Sequence, residues 1–423
     1  MMKLSSRSPE CDTTTPLDLA GIGIGPFNLS LAAQLDSIST IRARFFERRP
    51  RFEWHPGMML PDVELQSSFL KDLVTSTNPT SPWSFVAYLV AHRRLFTFLN
   101  ARYEAVPRRE FARYFEWVAE NLVNLSFGTE VREVSYDGSE FVLSTSEGRY
   151  RARNIALGVG TSPFVPTWAA PLKGERCFHC SEILDRLPDI SASRVAVIGG
   201  GQSGGEIVQY LLSRNQFPIS LKWISRRHNF EPMNDTPFSN QVFSPEYVDA
   251  FRRLSDERKQ AALGTHVLTS DGLSLSTINA IYRRLYTLRH IEPSAPEVEL
   301  LPNRDVIQVE RQQDGFRLIT RNGFDGGIEI CFADIIVLAT GYRFRLPEAI
   351  TPLRDRLVLD RNERLVVADD YSAAWDGPRH NRIFALNAAR YTHGIADSQL
   401  SLMAWRSAAI VNALLGHNHF ELA

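Results

Sequence analysis

Two glycine-rich turns, about 175 residues apart, constrain this chain more than any other feature. Residues 17–28 read LDLAGIGIGPFN, and residues 195–205 read VAVIGGGQSGG. In both segments a short apolar strand leads into Gly-x-Gly and then into a helical pattern. The first glycine permits a tight turn, the second lets the backbone approach a pyrophosphate, and the helix start supplies free N–H groups. The pair predicts two dinucleotide sites in one chain.

The first turn can be read in two registers after the strand Leu17–Ile22. The preferred register is Gly23-x-Gly25-x-x-Asn28, in which Asn28 takes the place where a third glycine often lies. The alternative register, Gly21-x-Gly23-x-x-Pro26, is compatible with the same residues. Both registers put a helix directly after the turn.

A carboxylate lies where the first nucleotide would place its ribose. The strand predicted at Arg44–Phe46 ends at Glu47, 22 residues after Gly25. An acid at that distance accepts hydrogen bonds from the ribose hydroxyls of an adenosine. The alternative is a solvated charge beside Arg48 and Arg49. Because strand end and spacing agree, the ribose role is preferred, and the first nucleotide is predicted to be FAD.

The second turn, Gly199-x-Gly201-x-x-Gly204, is followed by basic residues instead of an acid. The strand predicted at Ser220–Ile224 leads into Arg226 and Arg227. Guanidinium groups bind a 2′-phosphate, which a carboxylate would repel. The second nucleotide is therefore predicted to be NADPH, and a solvated turn is the alternative for the two arginines. A flavin and a nicotinamide in one chain predict hydride transfer between them.

Length, charge and composition fit a globular enzyme. A chain of 423 residues is expected to divide into two or three domains. A net charge of −1 gives no reason to expect nucleic acid or an anionic membrane as a partner. The sequence has no apolar run of 18 residues and no signal-peptide core near its start, so a cytoplasmic location without an integral membrane segment is predicted. No metal site is predicted.

Further motifs resemble those of one family. In chain order they are WHPGM (Trp54–Met58), Gln66, FLKDL (Phe69–Leu73), Asn78-Pro79, DTPFSN (Asp235–Asn240), ATGY (Ala339–Tyr342) and THGIADSQLS (Thr392–Ser401). Together they resemble the flavin-dependent N-hydroxylating monooxygenases of siderophore biosynthesis over residues 17–415. The resemblance is greater to the L-lysine N6-monooxygenases than to the L-ornithine N5-monooxygenases.

This resemblance implies N-hydroxylation of the side-chain amine of L-lysine, an early step of hydroxamate siderophore biosynthesis. NADPH reduces FAD, O2 adds to the reduced flavin as a C4a-hydroperoxide, and the amine attacks the distal oxygen. The amine must be neutral, which desolvation favours. Lysine and ornithine differ by one methylene, so L-ornithine and the diamines cadaverine, putrescine and diaminopropane stay open as substrates. The family also implies a homo-oligomer.

The resemblance implies roles for individual residues as well. Lys71 would anchor the substrate α-carboxylate, for which a flexible ammonium is well suited; the alternative is an ion pair with Asp72 or another acid. Asn240 would contact the substrate backbone, and Gln66 would lie beside the flavin and nicotinamide, so these three form the implied catalytic set. Ser270 and Ser401 would complete the substrate pocket. The remaining implied cofactor-binding residues are Trp54, His55, Ser203, Thr340, Gly341, His393 and Gly394, of which the two histidines could instead be packing residues.

The expected fold is α/β, with two Rossmann-like dinucleotide-binding domains and a small helical substrate region. Residues 1–165 and 345–423 are predicted to form the FAD domain. Residues 166–235 and 295–344 are predicted to form the NADPH domain. Residues 236–294 show helical periodicity and are predicted to form the substrate region.

Three other functions compete with this interpretation. Cys177 and Cys180 form a C-x-x-C just before the second turn, as in low-molecular-weight thioredoxin reductases, which pass electrons from flavin to a disulfide. That class leaves FLKDL, DTPFSN and THGIADSQLS unexplained, so two unpaired thiols are preferred. A Baeyer–Villiger or flavin-containing monooxygenase would need no carboxylate anchor. A non-catalytic protein that binds FAD and NADPH is the third alternative.

Overall fold

The structure, a computed structural model, describes residues 15–187, 190, 193–214, 218–292 and 296–422. The N-terminal residues 1–14 therefore lie outside the described part of the chain. The described part contains two large sheets with parallel strands, a three-stranded and a two-stranded antiparallel sheet, and a group of helices. The predicted α/β fold with two Rossmann-like sheets and a helical region is confirmed.

The strands are β1 (Leu17–Ile22), β2 (Ala43–Glu47), β3 (Leu125–Phe127), β4 (Val131–Tyr136), β5 (Phe141–Thr145), β6 (Gly148–Leu157), β7 (Ser162–Pro163), β8 (Cys177–His179), β9 (Arg194–Ile198), β10 (Ser220–Ile224), β11 (Glu297–Leu301), β12 (Arg304–Gln312), β13 (Gly315–Asn322), β14 (Ile328–Ala333), β15 (Ile335–Leu338), β16 (Tyr342–Arg343) and β17 (Ile383–Ala385). The helices are α1 (Pro26–Leu35), α2 (Phe85–Ala91), α3 (Leu95–Ala101), α4 (Arg108–Asn121), α5 (Ile183–Arg186), α6 (Gln202–Ser213), α7 (Pro245–Arg252), α8 (Asp256–Thr265), α9 (Val267–Asp271), α10 (Leu275–His290), α11 (Arg390–His393) and α12 (Met403–Leu415). None of the described helices is both long and apolar enough to cross a bilayer.

The first sheet has seven strands, in the order β3-β2-β1-β6-β5-β4, with β17 also paired to β6. The long β6 pairs with β5 along its first half and with β17 along its second half. A strand from near the C-terminus thus completes a sheet that begins near the N-terminus. Helices α1, α4 and α12 contribute Leu29, Phe115 and Ile410 to its core.

The second sheet is parallel throughout, in the order β11-β10-β9-β15-β8. Val195 and Val197 of β9 pack with α6 and α10, whereas Ala196 and Ile198 pack with the antiparallel sheet of β12, β13 and β14. Successive side chains of a strand point to opposite faces. Burial of both faces explains why β9 is apolar without interruption.

The helices between residues 245 and 290 contact both halves of the molecule. Phe251 of α7 and Leu263 of α8 pack on Ile395, which belongs to the C-terminal segment. Helix α10 instead packs along α6 through Ile281 and Leu285. The borders proposed for the three regions stay a prediction.

A buried ion pair fixes the segment that follows α11. Arg406 of α12 and Asp397 are 1% and 0% exposed, and Arg406 Nη1 lies 3.2 Å from Asp397 Oδ1. Arg406 Nη2 also donates to the Asp397 carbonyl at 2.7 Å, and the backbone N–H of Ala389 donates to Asp397 Oδ2 at 2.7 Å. The guanidinium stacks over the ring of Phe27 on α1. The pair therefore joins α1, α12 and the segment around residue 397.

We expect Arg406→Met to lower the free energy of unfolding by about 3–5 kcal/mol, because it leaves a buried carboxylate unpaired. Chemical denaturation of the two proteins measures this loss. Arg113→Met is the control, since Arg113 is 65% exposed and pairs with Glu110 at 3.9 Å, an interaction worth at most about 1 kcal/mol. Similar losses in both variants would contradict a special role for the buried pair.

Candidate active site

One cleft of about 3380 Å³ lies where the strands of both sheets end. Its wall includes the residues that follow β1, β2 and β6 in the first sheet and those that follow β9, β10 and β15 in the second. Ligands of parallel sheets bind outside the carboxyl ends of the strands. The two glycine turns therefore open onto a shared space.

The turn after β1 follows the register Gly23-x-Gly25. The strand ends at Ile22, Gly23 has a φ of +81°, and Gly25 is the N-terminal cap of α1. The turn after β9 is equivalent, because Gly199 has a φ of +136° and Gly201 caps α6. L-residues with a side chain avoid such φ values. Neither cap residue has a side chain to occupy the free N–H groups, so both helix starts are open to a ligand.

The two turns have different residues at the third position of the motif, Asn28 in the first and Gly204 in the second. A Cβ atom at Gly204 would lie 2.1 Å from the carbonyl oxygen of Gly199, so only glycine lets α6 approach β9. In the first turn, Asn28 Nδ2 donates to the Gly23 carbonyl at 2.7 Å instead. The space for this side chain comes from Gly158, where a Cβ atom would lie 2.3 Å from Asn28 Nδ2. Asn28 and Gly204 therefore support their turns without lining the cleft.

Glu47 lies at the end of β2, beside the first turn. Its Oε2 accepts a hydrogen bond from the Ile24 N–H at 3.0 Å, and its Oε1 accepts one from the Arg49 N–H at 3.0 Å. The carboxylate is thus held at the edge of the cleft with capacity for further donors.

The two arginines after β10 differ in their surroundings. Both line the cleft, and Arg226 is exposed. Arg227 Nη1 donates to the carbonyl of Asp271 at 2.7 Å and to that of Gly200 at 3.4 Å. Arg227 therefore ties the end of α9 to the second turn, and Arg226 is the better placed of the two to meet a phosphate.

Trp54, His55, Gln66, Ser203, Thr340 and Gly341 also line the cleft. His55 is accessible from the cleft yet surrounded by protein atoms, and this burial together with Arg108 and Arg49 lowers its pKa to about 4. Its ring lies against Trp54 and Tyr342, with centroids 5.5 and 6.2 Å apart.

Lys71 and Asn240 each lie near Asp235, outside the cleft wall. Asn240 Nδ2 donates to Asp235 Oδ1 at 2.6 Å, and Lys71 Nζ lies 5.8 Å from the centre of the Phe243 ring. Burial lowers the pKa of Lys71, and the charge of Asp235 opposes this shift. Asp72 points inward and accepts hydrogen bonds from the N–H groups of residues 74, 75 and 85. The ammonium of Lys71 is therefore near Asp235, and Asp72 serves to hold the loop.

The C-terminal motif contributes other residues than expected. His393 is buried and stacks on Tyr371 with centroids 4.5 Å apart, and burial lowers its pKa to about 3. His393, Gly394 and Ser401 do not line the cleft, whereas Ser398, Gln399 and Leu400 do. A 3₁₀ turn at 395–398 lies between the buried His393 and this later part of the motif, which lines the cleft.

Two charged clusters in the cleft had no counterpart in the sequence motifs. Arg390 donates to Ser270 Oγ at 3.4 Å and pairs with Asp271 at 3.2 Å, so Ser270 lines the cleft with one acceptor site of its hydroxyl in use. Arg108 of α4 forms a two-fold ion pair with Glu206 of α6, with Nη1–Oε2 at 3.1 Å. The signal for the second cluster was Glu206, the one charged residue in the sequence of α6.

The cysteine pair does not have the surroundings of a redox dithiol. Cys177 and Cys180 are free and buried. Burial raises the pKa of Cys177 to about 11 and that of Cys180 to about 12. Exchange requires an accessible thiolate, so the dithiol alternative loses its chemical basis.

Two sheets that share one cleft, each with an open glycine turn at a helix start, define the fold of an oxidoreductase for two dinucleotides. The chain belongs to the L-lysine 6-monooxygenase/L-ornithine 5-monooxygenase family, whose model matches residues 15–344. It is 40% identical to the L-lysine N6-monooxygenase of Escherichia coli, over 96% of each chain. The predicted family is therefore confirmed.

Two solved structures show the same architecture. The cadaverine monooxygenase of Erwinia amylovora, solved with FAD, has a TM-score of 0.90 at 30% identity and covers 97% of this chain and 96% of its own. The ornithine N-hydroxylase of Kutzneria sp. 744, solved with reduced FAD, NADP+ and L-ornithine, has a TM-score of 0.87 at 32% identity, with 95% and 99% covered.

The buried His393 predicts a lower free energy of unfolding in mild acid. In the unfolded chain a histidine has a pKa of about 6.5. Because the folded pKa of His393 is about 3, the unfolded chain binds a proton between these values that the folded chain does not. The contribution is present above pH 6.5 and is lost as the pH falls, by about 2 kcal/mol between pH 6.5 and pH 5.

We therefore expect the unfolding free energy of His393→Gln to depend less steeply on pH than that of the wild type between pH 6.5 and 5. Urea denaturation at several pH values measures the slope. Asp72 and Asp397, whose pKa burial raises, act in the opposite direction in both proteins, so the difference in slope isolates His393. The exposed His380→Gln is the control, and an unchanged slope in His393→Gln would refute the assignment.

Proposed function

We propose that this chain is an FAD- and NADPH-dependent monooxygenase that hydroxylates the side-chain amine of L-lysine. The observation that carries the proposal is that Lys71 and Asn240 both lie near Asp235, separate from the two nucleotide turns. An ammonium and an amide there give the α-carboxylate end of an amino acid a place to bind. The 40% identity to the lysine enzyme of Escherichia coli supports the choice of lysine.

FAD is assigned to the first turn and NADPH to the second. The free N–H groups at the start of α1 and the carboxylate of Glu47 suit the pyrophosphate and ribose of FAD. The start of α6, with Ser203, and the exposed Arg226 suit NADPH. When bound, FAD reduced by NADPH would supply the activated oxygen for transfer.

The residues of the cleft must leave the substrate amine neutral. The side-chain amine of free lysine has a pKa of about 10.4, and a nearby carboxylate would raise it further. Glu206 lines the cleft, but Arg108 neutralises it in a close ion pair. His55, with a pKa of about 4, is neutral at pH 7 and presents an imidazole without charge. Asp235, which is not neutralised in this way, lies at Lys71 and outside the cleft wall.

The proposed place of the reaction is an early step of hydroxamate siderophore biosynthesis, with O2 as co-substrate. A cytoplasmic location and a homo-oligomer are kept as predictions. L-ornithine and diamines are the alternative substrates. The similarity to a cadaverine enzyme and to an ornithine enzyme supports keeping both amino acids and diamines as candidates. Lys71 distinguishes them, because a diamine has no carboxylate for it to bind.

We expect the hydroxylamine formed per NADPH oxidised to be high with L-lysine and low with L-ornithine, cadaverine and putrescine. Lys71→Ala should raise the KM for L-lysine about tenfold to a hundredfold, since it removes a charge-assisted hydrogen bond. The rate of flavin reduction by NADPH should stay the same. Lys173→Ala, at a half-exposed surface lysine that pairs with Glu182, is the control.

A different outcome separates the alternatives. A high yield of hydroxylamine per NADPH oxidised with a diamine would support N-hydroxylation but contradict the role of Lys71 as a carboxylate anchor. Peroxide without hydroxylamine from every substrate would remove the monooxygenase assignment. A collapse of flavin reduction in Lys71→Ala would make Lys71 structural.

For the second nucleotide, Arg226→Ala is expected to raise the KM for NADPH about tenfold or more and to leave the KM for NADH nearly unchanged, because only NADPH carries the 2′-phosphate. Steady-state oxidation of both nucleotides measures this. Arg227→Ala, which breaks contacts to two backbone carbonyls, should impair both nucleotides alike. Equal effects of Arg226→Ala on NADPH and NADH would contradict the phosphate role.

A further inference from the structure

We infer that Asp235 binds the α-ammonium group of the substrate, while Lys71 binds its α-carboxylate. The inference rests on the proposed function and adds a second charge to the recognition site. It makes the site selective for the zwitterionic end of an amino acid, and so assigns a specificity role to a residue that does not line the cleft.

The first support is the relation between the two charges. Asp235 acts on the charge of Lys71, yet among the described residues the two side chains form no direct ion pair. Lys71 Nζ lies beside the ring of Phe243 instead. Asp235 is exposed and its charge acts on Lys71, so the two side chains offer opposite charges to one ligand that carries both. The α-carbon of an amino acid carries its carboxylate and its ammonium one bond away on each side.

The second support is the way Asp235 is held. Asn240 Nδ2 donates to Asp235 Oδ1 at 2.6 Å, which fixes the orientation of the carboxylate and leaves Oδ2 available. The backbone N–H of Asn240 donates to the Thr236 carbonyl at 2.9 Å, so residues 236–240 form one turn. Asn240 therefore acts on the substrate through Asp235 as well as by any direct contact.

The third support is the anchoring of the loop that precedes Asp235. The N–H of Met233 donates to the Leu273 carbonyl at 2.6 Å, and that of Asn234 donates to the Leu268 carbonyl at 2.9 Å. A Cβ atom at Gly272 would lie 2.4 Å from Met233 Cα, so this glycine allows the close approach. The loop is fixed from both sides, which places Asp235 without the help of an ion pair.

A carboxylate at this position does not compromise the reaction. The reacting amine of lysine lies four methylenes from the α-carbon, and a carboxylate beside it would favour its protonated form. Asp235 and Lys71 lie outside the cleft wall, whereas the glycine turns line it. The zwitterionic end is recognised by charge outside the cleft wall, and within the cleft Glu206 is already paired with Arg108.

The test compares L-lysine with 6-aminohexanoate, which keeps the carboxylate and the terminal amine but lacks the α-ammonium. Asp235→Asn keeps the oxygen that accepts from Asn240 and removes the charge. We expect this variant to lower kcat/KM for L-lysine about tenfold to a hundredfold and to leave kcat/KM for 6-aminohexanoate within twofold. Nα-acetyl-L-lysine, which has no α-ammonium, should behave like 6-aminohexanoate.

The controls separate this inference from the proposed function. Asp185→Asn, at an exposed aspartate in α5, should change neither substrate, and flavin reduction by NADPH should be equal in all three proteins. Equal losses for L-lysine and 6-aminohexanoate in Asp235→Asn would overturn the inference and leave lysine hydroxylation intact. Wild-type enzyme that hydroxylates only a diamine would instead overturn the proposed function.

Discussion

The molecule depends on backbone N–H groups that are left free where two neighbouring parallel strands of each large sheet end. At β1 and β9 the chain leaves the strand through a glycine with positive φ, and a second glycine caps the following helix without a side chain. Each helix therefore begins with unpaired donors and the positive end of its dipole facing a cleft. A negatively charged pyrophosphate meets both requirements, and the rest of the fold brings the two turns to face one space.

The local structure around these turns was predictable because it follows from spacing. The strands Leu17–Ile22 and Ser220–Ile224 have the predicted bounds, and Glu47 ends a strand as its position implied. The pairing of Asn28 with Gly158 was not predictable, since the two residues are 130 positions apart and neither has a motif that refers to the other. A side chain in place of the third glycine requires a partner that gives up its own side chain.

The surroundings of the motif residues were less predictable than their presence. His393 lies in a motif, yet it is buried against Tyr371, whereas Ser398 and Gln399 of the same motif reach the cleft. A run of residues gives no information about which of them a 3₁₀ turn exposes. Arg226 and Arg227 are neighbours with the same chemistry. Only the tertiary structure shows that Arg227 donates hydrogen bonds to two backbone carbonyls. The fold determines which charges stay available to a ligand.

The distribution of carboxylates gives the site its chemical logic. Two acids of the cleft wall are paired with arginines: Glu206 with Arg108, and Asp271 with Arg390. Asp235 differs, because it is oriented by a neutral amide and lies near a lysine without joining it. An unneutralised acid beside the reacting amine would hold that amine in its unreactive, protonated form. An acid at the α-carbon end is favourable instead. It stabilises the charged α-ammonium, which takes no part in the reaction. Lysine presents two amines, and a carboxylate at only one end of its site gives the protein a physical means to keep the α-amine protonated while the side-chain amine is hydroxylated.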